Sequence, residues 1–532
     1  MGVLIIAEWY TLVLRKTGRF VLLGDRMDKV KRMLMTILTS GIATILSFLI
    51  SFSLTPYITN KLGVEAYGFV TLAKNFTQYA TIITIALNSY AARYITISYH
   101  KNDMKKSQEY ISSVYYGDVT ISAVIMIIAV GFILFLDKIL NISLELVFSV
   151  KLLFFFVFLS FVITTVGTSY TAAAYIKNRL DIVGVFRSLS YVFEVIFYIV
   201  VFSFTTPEVW QVGVAICIAQ LVIFGGNYYI YKKYTPELKI RRKSVSFIAI
   251  KKLVVNGIWN SINSLGNTLN SGLDLIVTNL WLSDLAMGQI AITKTISSIF
   301  MSFNQLLAQP FQPLFLKSYS DGNKEKLISE LKLSMKLTGL FSSIVFAGFF
   351  SLGKVFYALW IPGQDIDLIY VLTVITMLAS VVEGPIYPLY YIYTLTVRNK
   401  IPCIITVIGG ILNVAGMAIL VKYSSLGIYS IVLTTTVIML FINLVTNPIY
   451  MTYCLKVKWF TFYPTLLRTV ISCVCMTASF ILIADVLNPH TWVTFLLTAG
   501  LCGVLGCIIH LILVFSKDEK QQLLLIAKNK NK

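Results

Sequence analysis

Two stretches of thirteen residues align without gaps and decide how this chain is organised. The first is LGVEAYGFVTLAK (residues 62–74) and the second is LSDLAMGQIAITK (residues 282–294). In each stretch a lysine, Lys74 or Lys294, follows a glycine, Gly68 or Gly288, by six positions. Each stretch leads into a long apolar run, so we interpret the two as entries to equivalent helices in two copies of one unit.

The composition places these copies in a membrane. Hydrophobic residues make up 57% of the 532 residues and charged residues only 13%, about half the charged fraction of an ordinary soluble domain. Apolar runs of about 20 residues recur, which is the length that crosses a hydrocarbon layer of roughly 30 Å. The composition therefore excludes a soluble globular enzyme and predicts an all-α, polytopic membrane protein.

The hydropathy pattern predicts about 14 transmembrane helices. Lysine and arginine concentrate in every second connector, and this bias predicts that both termini are cytoplasmic. The predicted spans are residues 36–58, 67–97, 112–136, 146–170, 181–204, 209–231, 253–281, 286–315, 333–357, 366–396, 402–421, 425–449, 465–487 and 491–515.

The repeat divides these spans into two pseudo-symmetric six-helix bundles, followed by two extra C-terminal helices. Parallel repeats of this kind are typical of transporters that rock one bundle against the other around a central site. Met27 opens a basic segment, so either Met1 or Met27 is the natural start. The predicted units are a cytoplasmic leader (1–30), the N-terminal bundle (31–231), a basic cytoplasmic linker (232–252), the C-terminal bundle (253–449), helices 13 and 14 (450–516) and a basic cytoplasmic tail (517–532).

The formal charge of +20 does not indicate a nucleic-acid partner, because the basic residues lie between apolar runs rather than on one soluble face. We interpret the linker as a topogenic loop that meets anionic headgroups. The seven cysteines and three histidines show no metal-ligand spacing, and no nucleotide-binding or nucleophile motif is present. The sequence therefore predicts neither an enzyme nor a metal or cofactor site.

Charged residues inside predicted spans are the candidate site residues, because a charge in hydrocarbon needs a partner, a wet cavity or an interface. The repeat places Lys74 and Lys294 opposite each other, where two ammonium groups suit a diphosphate. Snorkelling or a structural ion pair is the alternative. Asp274, in the polar span from Asn256 to Asn279, is a candidate to complete the site.

Glu194 and Glu383 lie too deep in their spans to reach an interface easily. Each is a candidate to carry a coupling proton, to bind sodium or to pair with a buried cation. Four residues nearer the cytoplasmic face are interpreted as interface anchors: Asp118, Arg93, Arg187 and Arg398.

Two proline-containing stretches, residues 309–313 (QPFQP) and 384–388 (GPIYP), predict kinks or breaks in their helices, because proline removes a backbone donor. Tyrosines follow the second break. They predict either a platform for sugar rings or ordinary packing: Tyr387, Tyr390, Tyr391 and Tyr393.

With these motifs the chain resembles the Wzx-like polysaccharide flippases of the multidrug/oligosaccharidyl-lipid/polysaccharide exporter (MOP) superfamily. The resemblance extends from about residue 31 to the mid-450s. It is carried by residues 62–68, the segment 88–95 with Ala91-Ala92-Arg93-Tyr94, Asp274 with the turn at 284–288, and Asn413 with the turn Leu426-Gly427-Ile428.

The resemblance implies a flippase that moves a polyprenyl-diphosphate-linked oligosaccharide from the inner to the outer leaflet for cell-wall, teichoic-acid or capsule assembly. It further implies that Lys74, Lys294 and Arg93 engage the anionic carrier, with a proton or sodium as coupling ion. A monomer in the bacterial plasma membrane is expected, with polysaccharide assembly enzymes as candidate partners.

Two alternatives remain at this stage. A multidrug exporter of organic cations would be expected to carry carboxylates where this chain has lysines. A membrane glycan polymerase or transferase would usually have a sizeable external loop, and the predicted outer loops are short.

Overall fold

The computed structural model describes residues 23–517 and 519–521, and the side chains of residues 35, 36, 38–517 and 519–521. Within these residues the regular structure is entirely helical, with no strand. The predicted leader up to residue 22 and the predicted tail beyond residue 521 lie outside the described part of the chain. The prediction of an all-α membrane protein is confirmed.

In the described part of the chain, fourteen long helical segments follow the predicted spans in order. They are α1 (Leu23–Leu62), α2 (Val64–Asn88, continued by Ala91–His100), α3 (Met104–Leu134), α4 (Leu144–Ile176), α5 (Leu180–Phe204), α6 (Val209–Tyr234), α7 (Phe247–Asn267, continued through Thr268–Gly272 to Asp274–Trp281), α8 (Asp284–Ala308, continued through Gln309–Phe311 to Gln312–Ser320), α9 (Lys324–Trp360), α10 (Ile366–Leu395), α11 (Lys400–Tyr423), α12 (Tyr429–Leu455), α13 (Tyr463–Leu487) and α14 (Trp492–Val514).

Several helices begin or end beyond the predicted limits. Helix α1 begins at Leu23, inside the segment interpreted as a leader, and α7 begins at Phe247, inside the predicted linker. Helix α12 runs on to Leu455, past the predicted end of the second bundle at residue 449.

The two halves of the chain repeat the same helix pairings. In the first half α1 packs on α5, α2 on α4, and α4 on α6. In the second half α7 packs on α11, α8 on α10, and α10 on α12, which are the same pairs advanced by six helices. This correspondence bears out the two pseudo-symmetric six-helix bundles.

The last two helices form a separate pair on the outside of the second bundle. Helices α13 and α14 pack on each other, and both pack on α9. The buried His510 of α14 lies with Nε2 at 2.9 Å from the Lys336 carbonyl oxygen of α9 and Nδ1 at 3.1 Å from Ser472 Oγ of α13. One imidazole therefore ties three helices together.

Hydropathy alone identifies eleven of the helices as long and apolar enough to cross a membrane. The three that fall short are α2, α7 and α8, which are also the helices that join the bundles, since α2 packs on both α7 and α8. Polar groups are costly in lipid, so the least apolar helices occupy the centre.

Local sequence explains how three of the helices begin. Ser283 caps α8, its Oγ accepting from the backbone nitrogen of Ala286 at 3.1 Å, and Asp103 caps α3 by accepting from Lys106 at 3.1 Å. Gly63 has a φ of 94°, a conformation that favours glycine, and this lets α1 turn directly into α2.

The aligned glycines of the repeat meet where α2 crosses α8. A Cβ atom on Gly68 would lie 2.9 Å from the Gly288 Cα, and one on Gly288 would lie 2.2 Å from the Val64 carbonyl oxygen. Only glycine permits this backbone approach. We call this end of the molecule the crossing face, and the opposite end, which carries residues 235–246 between the bundles, the linker face.

Further contacts hold the bundles together at the crossing face. The backbone nitrogen and Nδ2 of Asn141 donate to Oδ1 and the carbonyl oxygen of Asn279 at 2.9 and 2.6 Å, and Asn279 Nδ2 donates back to the Asn141 carbonyl at 2.9 Å. Trp360 Nε1 of α9 donates to the Phe52 carbonyl of α1 at 2.7 Å. The crossing face is therefore closed.

Replacing Gly288 with alanine should force α2 and α8 apart. We expect Gly288→Ala to lower the stability of the purified protein by about 1–3 kcal/mol, the usual cost of overpacking. Thermal melting in detergent measures this. Gly348→Ala is the matched control, because a Cβ there meets no atom within 4 Å. Equal melting temperatures for the two variants would contradict the tight crossing.

Candidate translocation cavity

One face of α8 carries a row of polar side chains through the middle of the helix. Members of this row, the α8 stripe, recur every three or four residues and are exposed or half-exposed: Ser298, Ser302, Gln305, Gln309 and Gln312. At 1.5 Å per residue the stripe is about 21 Å long. The three glutamine side chains form no hydrogen bond with any described residue.

Helix α7 carries a matching row on its exposed side. The α7 stripe runs for about 22 Å and consists of Asn256, Asn260, Asn263, Asn267 and Ser271. The side chains of Asn260, Asn263 and Asn267 have no hydrogen-bond partner in the described part of the chain.

Unpaired amides at membrane depth cannot face lipid without losing their hydrogen bonds to water. Both stripes lie on helices that line the junction of the two bundles. We infer that the two stripes border a water-accessible cavity at the junction of the bundles, between the crossing face and the linker face.

The upper end of the cavity is built around a π-helical segment of α7, Thr268–Gly272. A π turn breaks the regular helical hydrogen bonding, and carbonyl oxygens of this segment accept hydrogen bonds from side chains of neighbouring helices. Lys294 Nζ donates to the Ser271 carbonyl oxygen and Tyr79 Oη donates to that of Gly272. Asn75 Nδ2 approaches the Gly272 carbonyl at 3.4 Å. We call this junction of α2, α7 and α8 the apex.

Lys294 forms an ion pair at the apex. Its Nζ lies 2.7 Å from Asp274 Oδ2, and the side chains are 20% and 3% exposed. The structural ion pair weighed for Lys294 is thus present, and Asp274 is buried behind the lysine rather than open to the cavity. A burial this deep makes the carboxylate dependent on its cation.

Lys74 occupies the equivalent position on α2, six residues and about 9 Å below the glycine crossing. Its side chain is exposed and forms no direct ion pair with a described residue. Glu194 of α5 is near enough for the two charges to interact, and the buried Glu194 accepts a hydrogen bond from Tyr198 Oη at 3.0 Å. Lys74 therefore presents a free ammonium group beneath the apex.

The other two candidate residues lie away from the apex. Arg93 is exposed on Ala91–His100, the continuation of α2 towards the linker face, and has no hydrogen bond or ion pair with a described residue. Glu383 is half-buried in α10, and no cation pairs with it in the described part of the chain.

The interpretation of Asp118 as an interface anchor is wrong. Asp118 is fully buried within the first bundle, where Asn88 Nδ2 donates to Oδ1 at 2.8 Å and Ser169 Oγ donates to Oδ2 at 3.3 Å. Distance from the end of a helix says nothing about which way a side chain points. The signal that could have revealed the contact is Asn88, a polar residue in the neighbouring span.

Both predicted helix breaks are confirmed, as 3₁₀ turns at Gln309–Phe311 and Tyr387–Tyr390. Beyond the second turn, Tyr390 Oη donates to Asn443 Oδ1 at 2.8 Å and Tyr393 Oη donates to Asn447 Oδ1 at 3.0 Å. These bonds join α10 to α12, which favours packing over a sugar platform for Tyr390 and Tyr393.

The architecture is that of a transporter, with two pseudo-symmetric bundles around a central polar cavity. Comparison with solved structures agrees. The fold is similar to that of the lipid II flippase MurJ in an inward closed conformation, with a TM-score of 0.68, 16% identity and 91% and 98% of the two chains covered. It is also similar to an inward-facing multidrug resistance MATE family transporter of the MOP superfamily, with a TM-score of 0.61, 15% identity and 80% and 99% covered.

Sequence comparison identifies the family. Residues 34–318, more than half of the chain, match the family model described as polysaccharide biosynthesis protein, and the chain belongs to that family. It is 28% identical over 487 residues to the uncharacterized membrane protein EpsK of Bacillus subtilis (strain 168), covering 91% of this chain and 95% of EpsK. The resemblance to MOP-superfamily flippases noted from the sequence is confirmed.

The ion pair at the apex can be tested by removing its partners in turn. We expect Lys294→Ala to destabilise the protein by about 3–5 kcal/mol, because it leaves a buried carboxylate without its cation. The double variant Lys294→Ala/Asp274→Ala should recover most of this loss in thermal melting. Lys74→Ala, which breaks no direct ion pair, should melt like the unchanged protein. A double variant no more stable than Lys294→Ala would contradict the pairing.

Proposed function

We propose that this protein is an alternating-access flippase that moves a polyprenyl-diphosphate-linked oligosaccharide from the cytoplasmic to the outer leaflet, for cell-wall, teichoic-acid or capsular polysaccharide assembly. The observation that carries the proposal is the pair of lysines at equal depth on α2 and α8, at the closed end of a cavity lined with unpaired amides.

The lysines supply the charge that a diphosphate requires. Lys74 forms no direct ion pair with a described residue, although Glu194 is near enough for their charges to interact, and the Lys294 ammonium group is shared with Asp274. In an empty cavity the carboxylates Asp274 and Glu194 offset both cations. An entering diphosphate competes for the lysine donors, and Asp274 acts as a positioning residue that holds Lys294 at the apex. An organic cation would find no equally exposed carboxylate there.

The glycan has a route along the two stripes. Amide side chains donate and accept hydrogen bonds, so they can exchange water for sugar hydroxyls with little loss. Their length of roughly 20 Å accommodates several sugar units without selecting a single sequence of sugars.

The lipid tail has a route as well, because the junction between the bundles is asymmetric. Helix α2 packs extensively on α7, whereas their counterparts α8 and α1 make few contacts. Phe48 and Phe303 meet with ring centroids 5.2 Å apart near mid-membrane. Towards the linker face, α1 exposes apolar side chains to the bilayer, including Leu38, Ile42 and Ile45. An opening between α1 and α8 would let the prenyl chain stay in lipid while the headgroup enters the cavity.

The setting follows from the charge distribution. We assign the linker face to the cytoplasm of a bacterial plasma membrane, since its connectors carry most of the basic residues. The start of α1 at Leu23 and the end of α14 at Val514 lie on that side. The cavity would then load from the cytoplasm. The name of the MurJ structure, a lipid II flippase, supports a lipid-linked cargo. A monomer suffices for the proposed path, and polysaccharide assembly enzymes are candidate partners.

Transport in vesicles tests the diphosphate site. The purified protein is reconstituted with a fluorescent polyprenyl-diphosphate-linked sugar, and translocation is followed with a membrane-impermeant quencher. We expect Lys74→Ala to slow translocation at least tenfold, because the free cation is lost. Lys74→Arg should retain a large part of the rate.

Lys422→Ala is the matched control. Lys422 lies at the crossing-face end of α11, where its Nζ rests 5.4 Å from the Tyr423 ring centroid, and its removal changes the net charge equally. Normal transport by Lys74→Ala combined with Lys294→Ala/Asp274→Ala would refute the diphosphate site.

We assign coupling to the two carboxylates that lie deep in their helices, Glu194 and Glu383. We propose Glu383, which has no cation partner, and Glu194, which lies near Lys74, as carriers of the coupling proton or sodium ion. Glu383→Gln or Glu194→Gln should abolish the acceleration produced by an imposed gradient while slow equilibration persists. Glu145→Gln, in the exposed first turn of α4, is the control. Gradient dependence that survives in both glutamine variants would exclude these residues from coupling.

A further inference from the structure

The linker between the bundles (residues 235–246) forms part of a second concave site, which lies away from the central cavity. Where the linker passes α3, α4 and α6 there is a cavity of about 460 Å³, a size that suits a small ligand or headgroup. We call it the linker pocket. Its polar lining is aromatic and basic: Tyr115, Tyr116, Tyr170, Tyr231, Lys239 and Arg241.

The linker backbone is fixed to the first bundle on both sides of the pocket. The backbone nitrogen of Arg241 donates to Ser112 Oγ at 3.1 Å, and that of Ser246 donates to Ser113 Oγ at 2.9 Å. Leu238 is fully buried. The segment that carries the two basic residues is therefore held in place against the first bundle and forms one wall of the pocket.

The two cations in the pocket are not neutralised. Lys239 and Arg241 are exposed, and neither forms an ion pair with a described residue. The acid nearest in sequence, Glu237, points elsewhere, since Tyr99 Oη donates to its carboxylate and Lys177 lies close. Burial acts to raise the pKa of Glu237, but the Tyr99 hydrogen bond and the Lys177 charge lower it below its ordinary value.

The tyrosines complete a surface suited to an anion. Tyr170 packs on Tyr231 and Tyr115 with ring centroids 5.1 and 5.8 Å apart, and this packing fixes the rings as one side of the pocket. The Tyr116 hydroxyl adds a hydrogen-bond donor next to an ammonium and a guanidinium group, whereas the Tyr231 hydroxyl donates to the Leu238 carbonyl oxygen and so fixes the linker. Charge-assisted donors in this combination are the usual means of holding phosphate oxygens.

We propose that the linker pocket binds a phosphate group, held by Lys239 and Arg241 with the Tyr116 hydroxyl beside them. The pocket lies at the linker-face ends of α3, α4 and α6, so the phosphate can belong to a phospholipid headgroup or to a soluble phosphorylated molecule. This site is separate from the apex and does not depend on the proposed transport function.

Binding to the full-length protein in detergent tests the proposal. The probes are phosphatidylglycerol, phosphatidylcholine as the zwitterionic comparison, and inorganic phosphate, with affinities taken from native mass spectrometry and ligand-induced thermal stabilisation. The variant Lys239→Gln/Arg241→Gln removes both pocket cations. Arg242→Gln/Lys243→Gln is the matched control, because these neighbouring residues are also exposed and carry the same charge but do not line the pocket.

We expect the pocket variant to bind the anionic probe at least tenfold more weakly, and the control to change affinity less than twofold. Binding of phosphatidylglycerol but not inorganic phosphate would identify a headgroup site, and binding of inorganic phosphate alone would identify a soluble ligand. An equal loss of affinity in both variants would show that the anion binds to a general basic surface, and this would overturn the proposal. Binding of neither probe would overturn it as well. Tyr116→Phe, which preserves the ring, should weaken binding without changing the melting temperature of the free protein.

Discussion

Polar groups left in hydrocarbon lose their hydrogen bonds, and the free-energy cost of this loss determines where the polar helices of this structure lie. Asparagines and glutamines occupy successive turns of α7 and α8, and lipid offers them no hydrogen bonds. These helices must therefore stand at the junction of the bundles, where they can line water. The same constraint places Asp274 against Lys294 and accounts for the closed, polar apex. A water-lined cavity between two similar bundles is the consequence, and it is what a transporter of a polar cargo needs.

A second requirement is that the bundles approach closely at one end only. Gly68 and Gly288 provide this, because the absence of side chains brings the backbones of α2 and α8 together directly above the lysines. The asymmetry between the tight α2–α7 contact and the sparse α1–α8 contact leaves one side of the junction open towards the linker face. One glycine pair and one uneven interface thus define a cavity that is closed above and reachable from below and from the side.

Much of this architecture could be predicted from the sequence, because membrane helices leave a strong apolar signal and the repeat fixes which helices correspond. The aligned glycines and lysines do occupy equivalent positions, and the proline stretches do break their helices. The details of pairing could not be predicted. The spacing of residues along α8 does not reveal that Lys294 forms an ion pair with Asp274 of α7. This contact depends on the π-helical segment Thr268–Gly272, which cannot be predicted from the amino-acid composition. The position of Asp118 was predicted wrongly because its hydrogen-bond partners come from two other helices, α2 and α4, and the sequence does not show which helices are neighbours there.

If the cargo is a lipid-linked oligosaccharide, as we propose, the lipid pool of cells depleted of this protein must change. Mass spectrometry of polyprenyl-linked lipids, combined with a membrane-impermeant surface probe, reports both the identity and the leaflet of each intermediate. We expect a diphosphate-linked oligosaccharide to accumulate in the cytoplasmic leaflet, where the probe cannot reach it. An unchanged lipid pool together with reduced tolerance of cationic drugs would contradict it and indicate an exporter of organic cations.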